Sequence, residues 1–204
     1  MVSTANRSHS TSEVPTMPVR KFTVAEYHQL TDLGMLDNGV PVELLEGWIV
    51  PKMGKNPPHS AVMQLIIEVL GRLLLAGWRL RIQDPITTQD SEPEPDIAVV
   101  RGTSRTYINR NPGAKDSAML IEVSDTSLDR DRGDKFRIYA RASIGIYWIV
   151  NLVNSQVEVY TEPTGRRTQQ PRYRRQTIYG VNDAVPLFIE GKEIGRIAVR
   201  DILP

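Results

Sequence analysis

The chain has 204 residues, of which 40% are apolar and 24% are charged, enough for one globular domain with a hydrophobic core. The absence of cysteine excludes disulfides and thiolate metal sites, so we expect a reducing, cytoplasmic location. The net charge of +1 excludes strong bulk attraction to nucleic acid, so a nucleic-acid partner would have to bind through a local patch.

The N-terminal segment is rich in Ser, Thr and Pro and has no apolar periodicity. We therefore expect residues 1–19 to be a disordered tail and residues 20–204 to form a single domain. The longest apolar stretch, Leu65–Leu75, is interrupted by Glu68 and Arg72, so the sequence predicts no membrane span and no membrane partner.

The first ordered elements are two helices with a strand between them. Thr23 and Glu26 form a capping-box pattern, which predicts a short helix running to about Leu33. A strand is predicted at Val42–Val50. The longest helix is predicted at Ala61–Ala76, where apolar residues recur with helical spacing, so this helix should be largely buried.

The second half alternates strands with one further helix, about Asp131 to Ala142. Strands are predicted at Trp78–Gln83, Asp96–Arg101, Ala118–Val123, Tyr147–Val153 and Gln156–Tyr160, followed by further short strands. The three tryptophans, Trp48, Trp78 and Trp148, are interpreted as core residues because their neighbours are apolar. The pattern predicts a mixed α/β (α+β) fold, with the long helix packed on a central sheet and a C-terminal β elaboration.

Three predicted strands carry an acid where packing would favour an apolar residue: Glu43, Asp96 and Glu122. A carboxylate in a buried strand is costly unless it is paired, hydrogen-bonded or bound to a metal. In a chain without cysteine or a His-rich motif, the three suggest an all-oxygen site, which suits Mg²⁺ or Mn²⁺. The alternative for each acid is a loop cap, an arginine partner, or an outward-facing position on an edge strand.

Lys135 follows the Glu122 strand and shares a helical spacing of four residues with Asp131 and Tyr139. From that face it can point back at the end of the strand that carries Glu122. An ammonium there would stabilise the charge that builds on a phosphate during attack, or orient or help deprotonate the attacking water. The alternative is an ordinary Asp131–Lys135 surface ion pair.

Taken together, two acids on successive strands and a nearby lysine resemble the PD-(D/E)XK nuclease superfamily, in which Pro95-Asp96 supplies the PD. The order of several segments is more specifically similar to the Uma-two family within it. Those segments are VELLEG (Val42–Gly47), His59 before the long helix, PDIAVV (Pro95–Val100), LIEVSDTSLDRDRGDKFRIYA (Leu120–Ala140) and GIYWIVNL (Gly145–Leu152). The resemblance implies a restriction-endonuclease-like central mixed sheet flanked by helices.

The resemblance also implies roles for individual residues. It makes Asp96 and Glu122 catalytic metal ligands, and Glu43 a third acid that holds a second metal, a water or Lys135. In the superfamily pattern E-x-K the lysine would stand at position 124, where this chain has Ser124. The resemblance therefore implies that Lys135, on the following helix, takes the role of the missing lysine.

Contacts to substrate are predicted from two further features. The resemblance implies that His59 touches phosphate or the metal shell, although a histidine before a helix is equally well explained as an N-terminal partner. Arg172 and Arg174 belong to a basic stretch, Arg166–Arg175, that is interleaved with Tyr173. This stretch is interpreted as a phosphate-backbone contact, with a solvated hairpin rim as the alternative.

These features predict a metal-dependent endonuclease that hydrolyses phosphodiester bonds, in DNA, with Mg²⁺ or Mn²⁺ as cofactor. Because cutting both strands favours two-fold symmetry, a homodimer is expected. One alternative is a catalytically silent nuclease fold that binds nucleic acid or protein. Another is a carboxylate-pair hydrolase acting on sugars, which would leave Lys135 without a role.

Overall fold

The structure is a computed structural model that describes residues 18–37 and 39–203. Nearly all of the predicted disordered tail, residues 1–19, therefore lies outside the described residues. Within them, no helix is long and apolar enough to cross a membrane.

A six-stranded sheet forms the centre of the molecule. The strands of the chain are β1 (Val42–Leu45), β2 (Trp48–Pro51), β3 (Trp78–Ile82), β4 (Ile97–Arg101), β5 (Ser117–Ser124), β6 (Ile146–Asn151), β7 (Gln156–Pro163), β8 (Tyr173–Gly180), β9 (Ala184–Ile189) and β10 (Lys192–Ala198). The central sheet has the order β3-β4-β5-β6-β7-β8, in which β5 and β6 are parallel and the other neighbours are antiparallel. The predicted mixed α+β class with a central mixed sheet is confirmed.

The single strand predicted at Val42–Val50 is wrong, because the chain reverses in its middle. Glu46 and Gly47 have φ values of 50° and 82°, and the two strands on either side of them, β1 and β2, pair as an antiparallel hairpin. Two successive residues of positive φ match the twist of a tight hairpin turn. A side chain at Gly47 would also lie 2.6 Å from Lys21 Cβ, so glycine is required there.

The first two helices are α1 (Val24–Asp32) and α2 (Pro57–Leu73). The predicted capping box of α1 is confirmed. Helix α2 begins earlier than predicted, because Asn56 caps it by accepting a hydrogen bond from the His59 amide at 3.0 Å. Pro57 is favourable in the first turn, where its missing N–H leaves no bond unmade.

The predicted helix at Asp131–Ala142 is interrupted near its start. It runs as α3 (Leu128–Arg130), a π-helical turn (Asp131–Lys135) and α4 (Phe136–Ala142), and ends at Ser143 with φ 64°. Such π turns widen a helix locally and are frequent at functional sites. Here the π turn contains Lys135.

Apolar side chains alternate between the two faces of the sheet, as the two-residue period of a strand requires. On one face α2 packs through Val62, Ile66 and Leu70, together with the β9–β10 hairpin. On the other face α4 packs through Ile138 and Tyr139. The β9–β10 hairpin, which belongs to the predicted C-terminal β elaboration, therefore contributes to the core.

The three tryptophans differ in burial. Trp148 is 1% exposed and lies in the α2-side core, as predicted, and Trp78 packs partly against the same core. The prediction is wrong for Trp48, which is 41% exposed. It begins β2 on the outer hairpin, where the Lys21 ammonium lies 5.8 Å from its ring.

Candidate active site

The four residues predicted to be catalytic line one cavity of about 490 Å³, together with His59. We call this cavity the Asp96 pocket. Glu43 reaches it from β1, Asp96 from the residue before β4, Glu122 from β5, and Lys135 from the end of the π turn. The fold therefore brings together side chains from four separate elements.

Asp96 is held by three groups that donate to its carboxylate or lie beside it. The Val123 amide donates to Oδ2 at 2.9 Å, and Gln83 Nε2 donates to Oδ1 at 3.1 Å. His59 Nε2 lies 3.1 Å from Oδ2. Burial alone would raise the pKa of Asp96, but the His59 and Val123 contacts hold it below its ordinary value. Asp96 is therefore ionised at neutral pH.

Glu122 follows Leu120 on the face of β5 that packs against α4, which turns its carboxylate toward that helix. Its Oε1 accepts from Lys135 Nζ at 2.9 Å and from the Tyr139 hydroxyl at 2.7 Å. Its Oε2 lies 3.4 Å from the Asp96 amide. Burial raises the pKa of Glu122 well above its ordinary value, and Lys135 opposes that shift.

The side chain of Lys135 is buried, with the residue 7% exposed. Besides Glu122, its Nζ lies 3.9 Å from Glu43 Oε2 and 3.5 Å from the Glu94 carbonyl oxygen. Burial would lower the pKa of Lys135, but the surrounding carboxylates raise it above its ordinary value. Lys135 is consequently an ammonium, which suits charge stabilisation better than proton abstraction.

The alternative of an Asp131–Lys135 surface pair is wrong, since both residues are buried and their side chains bond elsewhere. Asp131 accepts from the Ser124 hydroxyl at 2.7 Å and from the Ser127 hydroxyl at 2.6 Å. Position 124, where the superfamily pattern would put a lysine, thus holds a serine that ties β5 to the π turn. This bond helps fix the turn that delivers Lys135.

Glu43 lines the same pocket, where a backbone amide and two nearby cations face its carboxylate. Its Oε2 accepts from the Glu94 amide at 3.1 Å, and Arg130 Nη1 lies 3.9 Å from its Oε1. With Lys135 also at 3.9 Å, Glu43 faces two cations. Of the roles implied for it, the position fits that of an acid that orients Lys135.

The family described as "Uma2: Putative restriction endonuclease" matches residues 24–190. The chain belongs to the Uma2 family. This confirms the Uma-two resemblance seen in the sequence, and the matched range contains every pocket residue named above.

One solved structure that resembles this Uma2 chain is a putative nuclease of DUF820 from Anabaena variabilis. It aligns with a TM-score of 0.65 and 16% identity over 89% of this chain and 97% of that one. At that identity the likeness shows a common fold. No curated protein matches the chain in sequence.

Among residues 18–37 and 39–203, no three His, Asp or Glu side chains form a group arranged to hold a metal ion. Mg²⁺, however, is commonly bound by only one or two carboxylates, with water and substrate phosphate completing its shell. Asp96 and Glu122 supply two carboxylates on the wall of a solvent-accessible cavity. This oxygen donor set fits a hard divalent cation.

Sequence reasoning missed three cations that line the pocket: Lys52, Lys55 and Arg130. Lys52 pairs with Glu94, and Arg130 Nη1 donates to the Pro51 carbonyl at 2.8 Å. Lys55 donates to the side-chain oxygen of the same Gln83 that holds Asp96. For Lys52 and Lys55 the available signal was the segment PKMGK at the end of the β1–β2 hairpin, and it depended on recognising that hairpin.

Arg172 and Arg174 lie away from the pocket. Tyr173, between them, pairs with Pro163 at the end of the sheet opposite to Glu122. Tyr173 itself is buried in the α4-side core, so it offers no exposed aromatic face for stacking. His59 does reach the pocket, and among the described residues its buried Nδ1 has no hydrogen-bond partner.

Proposed function

We propose that this protein is a metal-dependent endonuclease that hydrolyses phosphodiester bonds in DNA at the Asp96 pocket. The observation that carries the proposal is a buried ammonium, Lys135, bonded to Glu122 beside the ionised Asp96 in an open cavity. Membership of a family described as putative restriction endonucleases supports it, as does the similarity to the Anabaena structure, which is described as a putative nuclease.

Asp96 and Glu122 would hold Mg²⁺ or Mn²⁺ through carboxylate oxygens. When bound, such an ion lowers the pKa of a coordinated water and neutralises phosphate charge. Tyr139 and Lys135 both bond Glu122 Oε1, which leaves Oε2 on the side of Asp96. The two carboxylates are therefore oriented before any cation or substrate arrives, and Glu43 serves as a third acid facing Lys135.

Lys135 acts as a fixed positive charge. Its ammonium is held by buried partners and needs no reorganisation when negative charge develops on the phosphate, which is the condition for effective electrostatic stabilisation. The surrounding carboxylates raise the pKa of Lys135, which favours its charged form. His59 keeps Asp96 ionised, and thereby available to a cation, through its contact with Oδ2.

Lys52, Lys55 and Arg130 would receive the phosphates that flank the scissile bond. They offset the repulsion that the acids of this pocket exert on a polyanion. Cleavage of both strands would be performed by a two-fold homodimer, in which each subunit cuts one strand. The cysteine-free chain suits the cytoplasm.

The test is cleavage of supercoiled plasmid and of single-stranded DNA with Mg²⁺, Mn²⁺ or EDTA. Wild type should cut with a divalent ion and stop in EDTA, and Asp96→Asn should be inactive under all conditions. The exposed Asp32→Asn is the matched control and should cut like wild type. DNA binding without cleavage by wild type in either metal would instead identify a silent nuclease fold.

A further inference from the structure

A second, larger concavity of about 1450 Å³ lies on the α4 side of the sheet, at the C-terminal end of that helix. Its charged lining is almost entirely basic, and we call it the arginine groove. The charged residues that line it are Arg110, Lys115, Asp116, Arg166, Arg167 and Arg174. Lys135 stands before the first residue of α4, whereas Ala142 and Ser143, at its last turn, line the groove.

The one carboxylate of the groove is neutralised within it. Asp116 accepts from Arg110 Nη1 at 2.7 Å and from Nη2 at 3.1 Å. Lys115, Arg166 and Arg174 are exposed, as is Arg167, and none forms an ion pair with a described residue. Four free cations therefore face one cavity in a chain whose net charge is only +1.

Elsewhere on this surface several arginines are paired with acids. Arg101 pairs with Glu190, and Arg137 pairs with Glu46. The groove instead gathers four unpaired cations around a single acid that is already paired, an arrangement that costs repulsion unless an anion is bound.

The backbone that carries these arginines is firmly placed. Gly165 has φ 66°, and a side chain there would lie 2.9 Å from Ser143 Oγ, so the turn that bears Arg166 packs tightly on the end of α4. On β8 the buried Tyr173 anchors the strand beside the exposed Arg174, which lines the groove. The cations are therefore presented by a rigid scaffold.

We propose that the arginine groove binds the sugar-phosphate backbone of double-stranded DNA, at a distance from the Asp96 pocket. The choice of DNA as the polyanion rests on the proposed function. Helix α4 separates Lys135 from Ala142 by roughly 10 Å along its axis. That is about three base pairs at 3.4 Å each, a span that one duplex easily exceeds.

The experiment measures binding of a fluorescently labelled 30-base-pair duplex in EDTA, by anisotropy, at increasing KCl. Each cation that contacts a phosphate contributes about 0.9 to the slope of log K against log salt. The variant Arg166→Ala/Arg167→Ala/Arg174→Ala should therefore lower the slope by roughly 2 to 3 and weaken binding. Replacement of the same three residues by lysine should keep most of the slope.

The matched control is Arg72→Ala/Arg105→Ala/Arg200→Ala, which removes the same charge from exposed arginines outside both cavities. An equal loss of slope in the two alanine triples would overturn the proposal, as would no loss in the groove variant. If the triple does not fold, Arg174→Ala alone should lower the slope by about 0.9. Because binding is measured in EDTA, this result stands apart from the plasmid test: an uncut plasmid refutes the nuclease, and an unchanged slope refutes the groove.

Discussion

Two buried glutamates of the same sheet have pKa values that are shifted in opposite directions. Glu158, on β7, accepts from Tyr160 at 2.6 Å, Asn151 at 2.8 Å, Arg132 Nε at 3.1 Å and Gln156 at 3.1 Å. Burial would raise its pKa, but these donors lower it from 4.5 to about 2. Glu158 is thus a fully satisfied anion.

Glu122, on β5, is equally buried but only partly satisfied. Its two strong donors share Oε1, while Oε2 has only the longer contact with the Asp96 amide. Two further acids, Asp131 and Asp96, add to burial in raising its pKa. Glu122 opens on the Asp96 pocket, whereas Glu158 does not line it.

The difference teaches that burial of an acid in a strand does not by itself mark a catalytic site. A buried carboxylate with a structural role has its oxygen atoms occupied by hydrogen-bond donors. A carboxylate that keeps an oxygen beside a second acid and an open cavity retains the capacity to bind a cation. The following predictions test whether Glu122 and Glu158 differ in this way.

The largest expected effect on stability comes from the charge beside Glu122. Lys135→Met leaves a buried carboxylate without its cation, which should lower the free energy of unfolding by about 3–5 kcal/mol. Adding Glu122→Gln to that variant removes the stranded charge and should restore most of the loss. Urea denaturation measures the stability of both variants. Lys135→Met as stable as wild type would show that the Lys135–Glu122 pair is solvent-exposed.

Metal binding should distinguish the Asp96 pocket, which Glu122 lines, from the site of Glu158. Millimolar Mn²⁺ should raise the melting temperature of wild type, because a ligand at about 100 times its dissociation constant stabilises by roughly 2.7 kcal/mol. Asp96→Asn should abolish this shift and Glu158→Gln should retain it. A wild-type melting curve that Mn²⁺ leaves unchanged would contradict the metal site.

The acidity of Glu158 predicts a pH dependence of stability. Because its pKa is lowered on folding, Glu158 stabilises the protein above its unfolded pKa, and this contribution is lost as the pH falls from about 4.5 toward 2. Glu158→Gln should flatten the fall in stability over that window, as measured by denaturation at a series of pH values. The same steep fall in the variant would mean that other acids cause it.

The smallest effect concerns two matched tyrosines. Tyr139→Phe removes a donor to Glu122, and Tyr160→Phe removes a donor to Glu158. Each should lower stability by about 1 kcal/mol, the usual net value of one hydrogen bond. Only Tyr139→Phe should also reduce the Mn²⁺-induced shift in melting temperature. Equal Mn²⁺ shifts in the two variants would exclude a positioning role for Tyr139.

Much of the site was predictable because its residues break local patterns. Glu43 and Glu122 stand within apolar strands, and Asp96 directly precedes one. The four-residue spacing of Lys135 and Tyr139 placed both on a face that reaches Glu122. The same reasoning had no means of setting Glu158 apart. Its satisfaction comes from partners as distant in sequence as Arg132, which only the paired strands and packed helix bring together.

The features that the sequence did not predict depend on turns of the backbone. Glu46 at positive φ is an unusual choice for a hairpin turn, so Val42–Val50 is indistinguishable from one strand by its apolar pattern. Without the reversal, the return of the chain toward the pocket at Lys52 and Lys55 was invisible. The π turn, which contains the buried Lys135, likewise has no sequence signature.

The central claim is that the Asp96 pocket, and not any other buried acid, hydrolyses DNA. The most direct measurement is the initial rate of plasmid nicking in Mn²⁺ by wild type, Lys135→Met and Glu158→Gln, at a temperature where all three are folded. Lys135→Met should lose about 10²–10³ in rate, the usual loss for a transition-state charge stabiliser. Glu158→Gln should cut at close to the wild-type rate. Lys135→Met nicking as fast as wild type would contradict the account.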